Sequence, residues 1–187
     1  MKENHQGLDE NIIIVGFSNV KIEDTNTFLE QFRKENIIPI QFFDAKQIAG
    51  NQHLYFAAIN ALNAFNKKTN ISNNMAMEAL LFASGQRQIK KAVKMLGIKE
   101  DTSEVAVLLM LKNSHEKKKY LRLITQIIPG ERNNNVLELT KKKIDDIMKL
   151  FNISDIEFKT KLKKEGLEKE ALTDLVIERI ALLVTKS

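Results

Sequence analysis

Glu104-Val-Ala-Val-Leu-Leu-Met-Leu111 carries seven consecutive apolar side chains after a single acid. A strand sends alternate side chains to opposite faces, so a run with no polar position has to be covered on both sides. The stretch predicts a fully apolar central strand, and the rest of the chain must supply its neighbours and its cover. Asn11–Phe17 (NIIIVGF) reads as a second buried strand. Ile37–Phe43 reads as a third, and Pro39 within it cannot donate to a ladder, which places that strand at an edge or a bend. With 187 residues and 43% hydrophobic content, the chain holds enough apolar material for one core and hardly for two. The expectation is α+β: one compact domain over residues 1–187, with a small, mostly antiparallel sheet covered by several helices.

The covering helices announce themselves by period and by caps. Asp24–Asn36 is amphipathic through Phe28, Leu29 and Phe32, and Gly50–Asn66 lines up Leu54, Ala57, Ala58, Ala61, Leu62 and Phe65. Ser72–Ala83 reads as the next helix, and from Met75 to Ala83 it is apolar all round except Glu78, which predicts a buried helix with a buried carboxylate in need of a partner. Arg87 is the nearest cation, so Glu78 reads as half of an orienting ion pair. Lys117–Ile128 fits helix or strand, and Gly130–Asn135 (GERNNN) reads as a loop. Thr140 can cap a helix through Leu150, Ser154-Asp-Ile-Glu157 is a capping-box pattern, and Glu168–Val184 forms the last helix.

Met75–Ile98 is the stretch with functional content. Its apolar helix breaks at Ser84-Gly85 and restarts with Arg87, Lys90, Lys91 and Lys94, which fall within an arc of about 100° at helical spacing. Ile89, Ala92, Val93 and Leu96 take the opposite side and should pack. Ser84 can cap the restarted helix, or Gly85 can supply the turn. Either leaves the backbone N–H groups of Gln86–Gln88 near Arg87, an arrangement suited to a phosphodiester. The charge distribution agrees: residues 45–99 hold eight Lys/Arg against one acid, while residues 1–44 hold four against eight. Such single-sign concentration points to a polyanion. His53, Asn60 and Lys67 border the Gly50–Asn66 helix, where His53 reads either as a hydrogen-bonded border residue or as a binding residue. Lys117–Lys119 and Lys141–Lys143 read as solvated faces that could extend a phosphate track.

Other chemistry is not visible. No P-loop, nucleophile elbow or Gly-rich dinucleotide turn occurs, cysteine is absent, and His5, His53 and His115 are too scattered to suggest a metal cluster. No cofactor, metal or catalytic residue is expected. The N-terminus lacks an apolar leader and no run approaches the length of a membrane span, which predicts a soluble, cytoplasmic protein without a membrane partner. Finally, Leu172, Leu175, Val176, Ile177, Ile180, Leu182, Leu183 and Val184 cover about 220° of the last helix, more than twice a single core-facing stripe. The surplus fits either a deeply wedged helix or a protein interface at Leu175, Ile177, Ile180, Leu182 and Val184.

Several blocks together resemble a known family. Gly50-Asn-Gln-His53-Leu54, an Ala-rich helix ending Ala64-Phe65, Met77-Glu78, Ala83-Ser-Gly-Gln-Arg-Gln-Ile89 with Gly97-Ile98, and Leu175–Leu183 occur in the order of the small tRNA-binding, TPRKB-type subunit of the KEOPS complex in its archaeal form. Phe82 stands where archaeal members often carry tyrosine, and Lys112 to about Gly166 lies outside the resemblance. The resemblance implies a non-catalytic subunit. It would grip the single-stranded 3′ CCA end of tRNA and dock on the PRPK-type kinase/ATPase. Through that kinase it would serve the threonylcarbamoyl transferase that modifies the anticodon loop. On this reading the tRNA contacts are Ser84, Gly85, Gln86, Arg87, Gln88, Lys90, Lys91, Lys94, His53 and Lys67, with Phe82, Phe65 or Tyr55 available for bases. Two readings compete: a kinase-regulating adaptor with no RNA contact, and an RNA-processing enzyme using Glu78 or His53.

Overall fold

Strand β3 (Val105–Met110) is buried at all six positions and is hydrogen-bonded on both sides. The computed structural model describes residues 10–34 and 39–185. Strand β1 (Ile12–Ser18) runs antiparallel to β3 with Ile12 opposite Met110 and Phe17 opposite Val105. On the other side β2 (Ile40–Asp44) pairs antiparallel with Ile40 opposite Leu109. A two-residue strand β4 (Glu131–Arg132) adds to the far edge of β1, completing the order β2-β3-β1-β4. Pro39 sits just before β2, which is an edge strand as its proline requires, and its carbonyl accepts from Met110 N–H. The expected beginning of that strand at Ile37 lies outside the described residues, as does the end of the preceding helix at Asn36.

The pleat of β3 sorts two cores. Ala106, Leu108 and Met110 join Ile12 and Phe43 on one face, and Val105, Val107 and Leu109 join Ile13, Val15, Phe17 and Phe42 on the other. Helix α1 (Thr25–Lys34) covers the second face, where Phe28, Phe32 and Phe42 form a ring cluster with centroids 4.6–5.4 Å apart. The ambiguous segment resolves into helix α5 (Lys117–Ile127), which packs Ile124 on the same side. The first face carries α2 (Gly50–Asn66), α3 (Met75–Ser84), α4 (Ile89–Leu96), α6 (Lys141–Leu150) and α8 (Glu168–Thr185), with α7 (Asp155–Lys161) leaning on α8. Among the described residues no helix is long and apolar enough to cross a membrane.

The segment read as the GERNNN loop contains β4 and a short 3₁₀ turn at Asn134–Leu137. Its approach is so close that a Cβ built on Gly16 would lie 2.5 Å from the Asn133 carbonyl oxygen and 2.6 Å from a Val136 methyl. Asn134 Oδ1 accepts from Gly16 N–H at 3.0 Å, so this glycine joins strand to loop without a side chain between them. The Ser154–Glu157 capping box forms in both directions.

Candidate functional site

Helix α3 is buried along nearly all its length and ends in a left-handed residue, Gly85, at φ 62°. Gly85 N–H donates to Phe82 and Gln86 N–H to Leu81, a paired closure that turns the chain sharply out of the core. Ser84 is buried, and its hydroxyl donates back to the Leu81 carbonyl. Of the two alternatives, Gly85 supplies the turn and Ser84 faces the interior. The Gln86 N–H, expected to be free, is consumed by that turn. Helix α4 starts at Ile89, three residues beyond the Gln86 start that the sequence pattern suggests, with Gln88 at its N-cap and no side-chain cap bond.

Arg87, Gln88, Lys90, Lys91 and Lys94 are all exposed, and Gln86 and Gly85 are partly so. Ala92 and Leu96 anchor α4 in the core, but Ile89 and Val93 do not pack as expected: they remain 45% and 41% exposed. Both border a groove of about 810 Å³ whose walls come from α1, the free edge of β2, the start of α3 and Phe65 near the end of α2. One short helix therefore turns exposed apolar side chains to this opening and carries its cations on the adjoining outward face. Phe65 and Tyr55 are half-buried, whereas Phe82 is in the core and offers no ring to a ligand. Lys67 is exposed at the end of α2.

His53 is withdrawn from the surface altogether. Its side chain is fully buried, Nδ1 accepts from Ala49 N–H at 3.1 Å, and Nε2 donates to the Ala83 carbonyl at 2.7 Å. Burial pulls its pKa down to about 4, partly offset by the Ala83 hydrogen bond, with the nearby Lys143 ammonium lowering it further. The imidazole is neutral, and it cannot touch a ligand in this structure. It holds α3 two residues before the Gly85 turn.

Glu78 is also fully buried, but its partners are backbone groups. Its carboxylate accepts from Ile71 N–H at 3.1 Å and Ser72 N–H at 2.7 Å, in the loop that precedes α3. These bonds tie α3 to the loop before it, while Arg87 follows the opposite end of α3. Lys143 belongs to a lysine run whose pattern suggests a solvated face, yet it is only 8% exposed. Its ammonium donates to the Val136 and Glu138 carbonyls at 3.0 and 3.4 Å. Burial lowers its pKa to about 8 against the pull of Glu104 and Asp44.

The last helix is wedged into the fold. Leu172, Val176, Ile180 and Leu183 are core residues and Leu175 is 9% exposed, so Leu175 and Ile180 cannot belong to a free interface. Ile177 is half-buried, Leu182 is 46% exposed, and the Val184 side chain lies outside the described residues. The backbone of α8 passes beside the site, since a Cβ on Gly85 would lie 3.7 Å from the Arg179 carbonyl oxygen. Arg179 itself donates to Glu157 at 2.5 Å and to the Asn152 carbonyl, and Lys161 reaches Glu178, locking α7 against α8.

Comparison with known proteins gives this geometry a lineage. Residues 17–183 match the family model described as kinase binding protein CGI-121. Over 138 residues the chain is 31% identical to the regulatory protein Cgi121 of Methanocaldococcus jannaschii, covering 74% of this chain and 85% of that protein. The family match takes in the Gly85 turn, most of both cores and nearly all of the final helix, and the chain belongs to the CGI-121 family of kinase-binding proteins.

Proposed function

We propose that this protein is a non-catalytic, cytoplasmic KEOPS subunit. It docks on the PRPK-type kinase/ATPase and holds the single-stranded 3′ CCA end of tRNA in support of threonylcarbamoyladenosine formation by the partner transferase. The kinase half of the reading rests on the family and on the regulatory relative. The RNA half rests on one observation: α4 presents Lys90, Lys91 and Lys94 beside exposed Ile89 and Val93, which open onto an apolar groove containing Phe65. An unpaired tail needs cations along its phosphates and flat or apolar surfaces against its bases, and α4 offers both within two turns.

The test compares intact tRNA with tRNA lacking its CCA end, for the native protein and Arg87→Glu. Affinity that depends on both the tail and Arg87 supports the reading. Loss on Arg87→Glu without dependence on the tail indicates general phosphate binding. Kinase binding with no tRNA affinity at low salt selects the adaptor reading instead.

A further inference from the structure

Helix α5 places four cations, Lys117, Lys118, Lys119 and Arg122, on the side of the sheet opposite α4, and Lys112 precedes the helix by five residues. All five are exposed, and the one acid among residues 112–128 is Glu116, which lies 3.8 Å from Lys119. Three features of this helix act against its own stability. It begins without a side-chain cap bond and its first turn holds no acid. Its three lysines stand at the positive end of the helix dipole. Lys118 and Arg122 are like charges four residues apart. The apolar residues Ile124, Tyr120, Leu121 and Ile127 turn inward to the second core, and α5 contributes none of the exposed large apolar side chains. The outward face therefore has no wedge for a bilayer and no apolar centre for a protein interface; it has only positive charge.

We propose that the exposed face of α5 is a second RNA-contact surface that takes the phosphate backbone of a duplex region, separate from the α4 site for the unpaired end. The inference rests on the RNA reading given above. An RNA engaging both surfaces curves around the β2–β3–β1 sheet, with the two contacts adding to affinity through one connected ligand.

The test measures binding of the full chain to intact tRNA and to tRNA without its CCA end across a salt series. It compares the native protein with Lys117→Glu/Lys118→Glu/Arg122→Glu, the matching triple Gln variant, and Arg87→Glu. The α5 charge reversal should weaken both RNAs about tenfold at low salt and make the log–log salt slope shallower by about two, with the Gln variant intermediate. Its melting temperature should change little, because acids at 117 and 118 suit the dipole while the like-charge spacing of 118 and 122 is kept. Unchanged affinity in both α5 variants, with Arg87→Glu still weakened, overturns the second surface and leaves the α4 site standing. No effect from any variant overturns both. Binding to phosphatidylserine vesicles that the α5 variants abolish, with tRNA affinity unchanged, assigns the charge to a lipid surface and also overturns the proposal.

Discussion

His53 Nε2 donates to the carbonyl of Ala83 at 2.7 Å from a fully buried ring whose Nδ1 takes the N–H of Ala49. A proton added at Nδ1 would turn that acceptor into a donor facing an N–H. The folded protein resists this protonation, holding the pKa near 4 against 6.5 in the unfolded chain. The unfolded state thus binds the proton first as pH falls. Stability from this group is complete above about pH 6.5 and is lost progressively toward pH 4, by about 3 kcal/mol at most. Urea unfolding at pH 7, 5 and 4 should show this loss in the native protein, and His53→Gln should lack that portion of the slope.

Lys143 works in the alkaline range. Its folded pKa of about 8 lies below the unfolded 10.5, so the unfolded chain holds the extra proton between those values. Stability contributed here rises as pH climbs from about 8 to 10.5, again by about 3 kcal/mol at most. Lys143→Met should flatten that rise in unfolding curves at pH 7.5, 9 and 10.

Glu78→Ala would strip the acceptor from two backbone N–H groups at Ile71 and Ser72. A cost of about 2–4 kcal/mol is expected for the unpaired donors and the vacated space. Amide exchange at those two positions should accelerate more than exchange within α2. Equal acceleration across the domain would assign the loss to the core and not to the loop.

Two glycines separate strain from crowding. Gly85→Ala has room, with its nearest contact at 3.7 Å, but forces an alanine to φ 62°, costing about 1 kcal/mol, and Gly85→Asn should cost less. Gly16→Ala meets backbone at 2.5 Å and must displace the 133–136 loop, at about 3 kcal/mol. Thermal melts should place Gly85→Asn highest, Gly85→Ala below it and Gly16→Ala lowest.

Leu182→Asp changes a side chain that is 46% exposed, so the melting temperature should move little. Pull-down with the PRPK-type kinase should weaken if the end of α8 faces that partner. Unchanged kinase binding would move the docking surface elsewhere.

Much of the scaffold was legible because local signals agreed. The apolar run at Glu104–Leu111 became the central strand, Gly50–Asn66 kept its bounds, and the Ser154 box closed as its spacing required. Strand β4 was not legible, since two polar residues carry no period and exist as a strand only through pairing with Phe17 and Ser18. The burial of Lys143 and the backbone partners of Glu78 depend on loops brought in from elsewhere, which charge patterning cannot register. The broad apolar arc of α8 was visible, but only its neighbours α2, α3, α6 and α7 determine how little of it stays open. On α4 the same arithmetic placed the cations outward and erred on Ile89 and Val93, because a groove, not a packed helix, lies beneath them.

The pairing of β1 with β3 brings Ile12 against Met110. During synthesis, β1 therefore leaves the ribosome long before its main partner, an apolar IIIVGF segment with both edges open. Helices α2 to α4 can assemble from local contacts in that interval, but the sheet must wait for β3, and closing so long a loop makes it the slow step. Until then the nascent chain displays an aggregation-prone strand, so its yield in cells should depend on chaperone supply more than the stability of the finished fold would suggest.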